Sequence, residues 1–379
     1  MTYIALSLGA DPVYIGIQAS CFAAGGVAAA LPGGRMSDRI GGALVASIGM
    51  VLLLMGIALI LVLPTLPVLL GTSFIIGAGH ALMVVGQQSL VARVASTGSR
   101  DAAFGTLSAT MAFGQLVGAP LVTTLGTVFA APHAEINTTV GMITCAATIG
   151  VALLPTLALH RIEAAAFATG PPTERIRLRA ALGIPGMWRA LVVSGTVLAG
   201  VDLLASFLPV WAVERGVTAA VVGWLLALRA LVTITSRFGM TRLIGRFGRR
   251  ALLTVAIVVA AVAMGALPFV DAWGAVVVMC LMGIGLGLPQ PLTLSWVTSL
   301  APPTARGVVL ATRVTANRLA QVTIPLIVST IAGPSGVSAV LISTAGVLAI
   351  SAGFAASSGS LRPEGPSDSL DRETPDVPE

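Results

Sequence analysis

Six stretches of this chain carry no Asp, Glu, Lys or Arg: residues 40–92, 102–134, 136–160, 251–270, 272–305 and 319–361. About 20 apolar residues cross the hydrocarbon core of a bilayer, so runs of this length read as membrane-spanning helices. The first and last runs are long enough for two spans each. Pro64 and Pro67 divide one, and Gly333-Pro334 divides the other, as turn residues at membrane exits should. Overall composition agrees: 56% of the 379 residues are hydrophobic and 9% are charged, against roughly a quarter charged in a soluble domain.

An offset of 206 or 207 residues links the first part of the chain to the second. Gly16 recurs as Gly223, the run 38–41 as 245–248, Gly77-Ala78-Gly79 as Gly283-Ile284-Gly285, and the pair Arg100 and Gln115 as Arg306 and Gln321. One offset holding over about a hundred residues points to a duplicated unit. The period is far too long for a solenoid and fits two parallel halves of a transporter. The predicted spans are 13–33, 42–63, 67–94, 102–130, 137–160, 187–213, 218–241, 250–272, 274–300, 305–331 and 335–356. The organisation follows: a first helical half at 1–160, a central connection at 161–186, a second half at 187–356 and a polar tail at 357–379. Residues 172–181 of the connection read either as an amphipathic helix on the inner surface or as a solvated linker. The tail is rich in Ser, Pro and acid and is expected to be disordered.

Eleven complete spans leave the duplication uneven. The span beginning near Met187 would have its partner about 20 residues before Met1, so residues 1–9 read as the end of a largely missing first helix. Either the protein has eleven spans or its start lies upstream; the expectation is an upstream start. Residues 1–9 are too short for a signal peptide and lack its charged beginning.

All 21 basic residues are Arg, and the formal net charge is +6. Their placement excludes a nucleic-acid surface. Arg35, Arg39, Arg93, Arg100, Arg161, Arg175, Arg177, Arg179, Arg242, Arg246, Arg249, Arg250 and Arg306 fall in or beside alternate connections, while the intervening ones hold only Arg215. This positive-inside pattern puts the central connection and the C-terminus on the cytoplasmic side of what is expected to be a bacterial inner membrane. Cys21, Cys145 and Cys280 lie in apolar runs without metal-ligand spacing and read as packing residues. Trp188, Trp211, Trp273 and Trp296 lie near span ends and read as interfacial anchors, whereas Trp224 lies deeper and reads as helix packing or cavity lining.

Between the first two complete spans stands Gly34-Arg35-Met36-Ser37-Asp38-Arg39-Ile40-Gly41. Gly permits a tight turn there, while Asp can cap a helix and accept Arg hydrogen bonds across a bundle. The segment resembles the signature loop of the major facilitator superfamily, Gly-x-Leu-Ala-Asp-Arg-x-Gly-Arg-Arg. Gly34, Asp38, Arg39 and Gly41 match, but the basic pair is replaced by Gly42 and Ala43. The second copy keeps Arg246, Gly248, Arg249 and Arg250 but has Gly245 at the Asp position and Thr241 at the first Gly. The resemblance covers essentially the whole chain. It implies an all-α integral membrane fold of two six-helix halves related by a pseudo-twofold, with these loops acting as a gating latch.

The family's exporter-associated motif in the fifth helix reads Gly-x8-Gly-x3-Gly-Pro. Gly105, Gly114 and Gly118 match it, with Ala119 inserted before Pro120; Pro325 stands at the equivalent place in the second half. Small residues let helices approach and Pro bends one, which would seal one side of a cavity. The same pattern also fits ordinary Gly-rich packing.

Counting to span centres puts His80, Asp202, Arg229 and Arg318 near the middle of four helices, with Gln115, Asn317 and Gln321 at similar depth. Ionisable groups at that depth cost several kcal/mol unless they face a cavity or one another, so they are the candidates for a substrate and proton pathway. Asp202 fits three roles: a carboxylate that takes up and releases a proton, a fixed ion pair with Arg229 or Arg318, or a direct substrate contact. An Asp beside Arg stays charged, whereas a desolvated, unpaired one holds a proton more readily. Two Arg against one Asp favour a carboxylate- or phosphate-bearing solute, although either Arg also fits backbone bonding along a packed seam. His80 reads as a titrating group or as a hydrogen-bonded packing residue.

The expected function is alternating-access transport of a small solute, as proton-coupled efflux or as uptake or facilitated diffusion of an anionic metabolite. A receptor or assembly factor on the same scaffold is the alternative of another class. HExxH, P-loop and Gly-x-Ser-x-Gly patterns are absent, which argues against an enzyme, and no cofactor or metal is implied. The expected partners are the solute, protons and lipid, with the chain acting as a monomer.

Overall fold

Helices account for every predicted span. The computed structural model describes residues 1–94, 100–131, 136–167, 184–300 and 306–358; the central 172–181 segment and the tail from 359 lie outside the described residues. The first half holds α1 (Thr2–Ser7), α2 (Pro12–Ile40), α3 (Gly42–Val62), α4 (Leu66–Val94), α5 (Arg100–Val128) and α6 (Thr138–Phe167). The second half holds α7 (Met187–Glu214), α8 (Ala219–Phe238), α9 (Met240–Phe247), α10 (Arg249–Ala266), α11 (Ala272–Gly287), α12 (Pro289–Ser299), α13 (Arg306–Ala332) and α14 (Val337–Ala356). Among the described residues, ten helical segments are long and apolar enough to cross a membrane. Residues 1–9 do form a helical turn, α1, which packs on α7.

Two predicted spans are broken. The span at 218–241 ends at Phe238 and restarts as the short α9. The span at 274–300 divides at Leu288, because Pro289 has no N–H to continue the ladder. The reverse holds at the signature segment, which is not a loop: α2 runs through it to Ile40 and stops at Gly41, with φ of 95°. Gly248, at the corresponding place in the second half, has φ of 78°. Both precede the next helix in a conformation that side chains with a Cβ avoid, so the duplicated Gly is a backbone requirement.

The core lies chiefly in the second half, around α7. Phe207, Leu208 and Trp211 are sealed, as is Trp296 of α12. Trp211 and Trp296 are therefore core residues and not interfacial anchors. Their helices face other helices at those positions, whereas Trp188 and Trp273 are exposed. Trp224 is exposed too and does not serve helix packing.

The halves meet through two equivalent helix pairs, α2 with α13 and α5 with α8. Gly16 of α2 lies where any side chain would strike Ser329, with the Pro325 carbonyl beyond it. Gly223 of α8 lies against Thr123, Ala119 and Pro120 of α5. Val13 meets Gly333 further along the first pair. All these contacts lie toward the Arg-poor end, and the pseudo-twofold exchanges the two pairs.

At the other end, Glu163 on α6 reaches the start of α3, where the signature's basic pair is replaced by Gly42 and Ala43. Its carboxylate is fully buried and accepts the N–H groups of Gly42 and Ala43 at 2.6 and 2.8 Å, capping α3. An acid at a helix N-terminus satisfies orphan donors and the helix dipole together. Glu163→Ala is expected to destabilise the protein by about 2 kcal/mol, the scale of charged hydrogen bonds. A thermal unfolding midpoint unchanged in detergent would contradict this cap.

Candidate functional site

The midplane groups gather where α7 meets α13. Gly195 of α7 abuts Ala320 of α13, with the Asn317 Cα 3.9 Å from where a side chain would begin. Seven residues beyond Gly195, Asp202 comes level with Gln321. The Gln321 Nε2 donates to Asp202 Oδ2 at 2.6 Å, and Arg318 Nη1 donates to Gln321 Oε1 at 3.4 Å. A single neutral amide thus links carboxylate to guanidinium, using its donor on one and its acceptor on the other. Among the described residues, Gln321 is the one hydrogen-bond partner of Asp202, and neither Arg229 nor Arg318 forms a salt bridge with it. Both arginines are near enough to act on the carboxylate electrostatically.

Arg318 also reaches the opposite half. Its Nη1 lies 3.7 Å from the place a side chain on Gly26 of α2 would start. His80 of α4 stands behind α2, its ring 5.8 Å from that of Phe22. Gly25 and Gly77 allow this, since each abuts the backbone of the facing helix. Asp202, Gln321, Arg318 and His80 therefore come from both halves and border one region. Arg229 faces the same carboxylate from α8.

Several polar atoms on these helices are buried without a partner, among them His80 Nδ1, Arg229 Nε, Asn317 Oδ1 and Gln18 Nε2. Gln18 was not foreseen. It lies one turn before Phe22 on α2, is 5% exposed, and its signal is simply an amide within a span. Buried polar groups normally find partners, so idle ones beside Asp202 and Arg318 are where a ligand would be held. Gln115, the counterpart of Gln321 in the first half, is exposed on α5.

The other candidates divide similarly. Gly114 and Gly118 have nothing within 4 Å of where a side chain would stand, while Ala119 and Pro120 form the inter-half contact with Gly223. Pro325 sits at the equivalent contact with Gly16. Gly105 lies in α5, and Gly34, Asp38 and Arg39 lie in the last turns of α2. Arg246 stacks on Phe247 at 5.5 Å, and Arg249 and Arg250 open α10. Among the described residues, no group of His, Cys, Asp or Glu could hold a metal.

The family model of the Major Facilitator Superfamily matches residues 1–311 and, in a second alignment, residues 190–377. The nucleoside transporter NupG is similar in structure, with a TM-score of 0.71 at 13% identity, over 93% of this chain and 92% of that one. A POT family transporter in complex with 5-aminolevulinic acid has a TM-score of 0.71 at 16% identity, over 91% and 87% of the respective chains. No curated protein matches in sequence.

Proposed function

The chain belongs to the Major Facilitator Superfamily, a membrane-embedded transporter of small solutes, and on that premise we propose proton-coupled export with Asp202 as the proton carrier. The observation that carries this reading is the Gln321 bridge. A carboxylate paired directly with Arg keeps its charge, but one held by a neutral amide changes protonation with little rearrangement. Ionised, Asp202 accepts from Gln321 while Arg318 holds the amide oxygen. Protonated, it weakens its hold on the amide, and Arg318, already at the seam with α2, becomes available to a solute. Rocking of the halves then presents the site to the other side.

Export is supported by the place of Ala119 and Pro120, where the exporter-like segment of α5 helps close the Arg-poor end against Gly223. The Arg-rich end is then cytoplasmic, in a bacterial inner membrane, with the chain acting as a monomer. A second reading, uptake or facilitated diffusion of an anionic metabolite, is favoured by two arginines against one Asp and by the idle Arg229 Nε.

Saturable flux of labelled solute into proteoliposomes tests the carrier itself. Nucleosides and 5-aminolevulinic acid, named with the similar structures, are the first solutes to try. Saturation is expected; binding without flux would favour a receptor on the same scaffold.

A further inference from the structure

Toward the Arg-rich end, a second pair of arginines converges outside the central site. α8 packs onto α11 through Thr233, whose Oγ1 donates to the Gly283 carbonyl at 2.9 Å and whose side chain abuts Gly287. One turn on, this packing sets Arg237 beside Gln290, where α11 gives way to α12. Arg237 Nη2 donates to Gln290 Oε1 at 3.4 Å. From α13, Arg313 Nη2 donates to the Gln290 carbonyl and to Thr293 Oγ1, each at 3.3 Å. Two cations therefore share one neutral residue through bonds at the long limit of the range.

Among the described residues, no carboxylate pairs with either guanidinium. No Asp or Glu occurs between Glu214 and Asp271, or between Asp271 and Glu364. Asp271 belongs to the opposite end, where it caps α11. Both guanidiniums are half-buried, and the Nε of each is buried without a partner. Half-buried like charges are costly, and each guanidinium keeps one buried donor, its Nε, unused.

We infer that Arg237 and Arg313, with Gln290 and Thr293 between them, form a binding site for an oxyanion, a carboxylate or phosphate group. The guanidinium fork matches such oxygens in pairs. The group belongs either to a free solute or to the headgroup of an anionic lipid. This site is separate from the Asp202 bridge and stands or falls without it.

The full chain, purified in neutral detergent, is titrated with inorganic phosphate against chloride at equal ionic strength, with thermal stabilisation as the readout. Saturable stabilisation is expected, weakened about tenfold or more by Arg237→Gln and again by Arg313→Gln, about 1.4 kcal/mol for each tenfold. Arg313→Lys keeps the charge but loses the fork, and is expected to bind with intermediate strength. If phosphate does not saturate but native mass spectrometry finds phosphatidylglycerol retained by the wild type and lost from the double variant, the site stands and lipid is its source. If the wild type responds to neither phosphate nor phosphatidylglycerol, or the double variant responds equally, the inference is overturned.

Discussion

Asp202→Asn is expected to abolish proton-driven flux while sparing exchange of solute for solute. Asparagine has the shape of aspartate and keeps an oxygen where Gln321 Nε2 now donates, so the link from α7 to α13 survives. What disappears is the capacity to carry a proton. Counterflow between solute-loaded and external label needs only binding and rocking, whereas accumulation against a gradient needs the coupling ion. Both are measured on one batch of proteoliposomes, with and without an imposed pH gradient. Equal loss of the two activities would make Asp202 a structural residue and would remove it from the coupling step.

Gly223→Val is expected to cut flux about tenfold or more by holding the halves apart at the Arg-poor end. A side chain there meets the Ala119 carbonyl and the Pro120 Cα, each at 3.0 Å, and helix backbone cannot turn aside as a side chain can. Overpacking of this kind costs about 1–3 kcal/mol, and about 1.4 kcal/mol shifts a two-state population tenfold. Gly16→Val should behave alike, since it meets the Pro325 carbonyl at 3.2 Å in the equivalent helix pair. Gly353→Ala, where nothing lies within 4 Å, is the control. In a background lacking Cys21, Cys145 and Cys280, a Ser329→Cys reporter, fully buried between α2 and α13 in the parent, should react faster with an impermeant thiol reagent once Gly223 is replaced. Unchanged flux and unchanged labelling would show that this seam does not close during transport.

Membrane helices are legible in sequence because each must be apolar along its whole length, and α3 and α11 announce themselves by charge-free runs alone. Gly41 and Gly248 were legible as a duplicated pair, and the backbone explains why. The site was legible only in depth. Counting along a span gives height in the bilayer but not direction around the helix, so Gln115 and Gln321 look alike in sequence. In the fold one is exposed on α5, and the other joins Asp202 to Arg318. The bridge joins residues 119 apart, through an approach set by Gly195 against Ala320, and no local pattern carries that. The break at Pro289 was visible as a residue but hidden by the apolar run around it. The roles of Arg237 and Arg313 depend on that break, which brings them to Gln290.

The central claim, that the carboxylate linked through Gln321 moves protons as solute moves, is tested most directly by watching protons. Proteoliposomes loaded with a pH-sensitive dye are given a transported solute without any imposed gradient. The account predicts an internal pH change that begins with solute, saturates with it and vanishes in Asp202→Asn. Solute entry at full rate with no change in internal pH would contradict it.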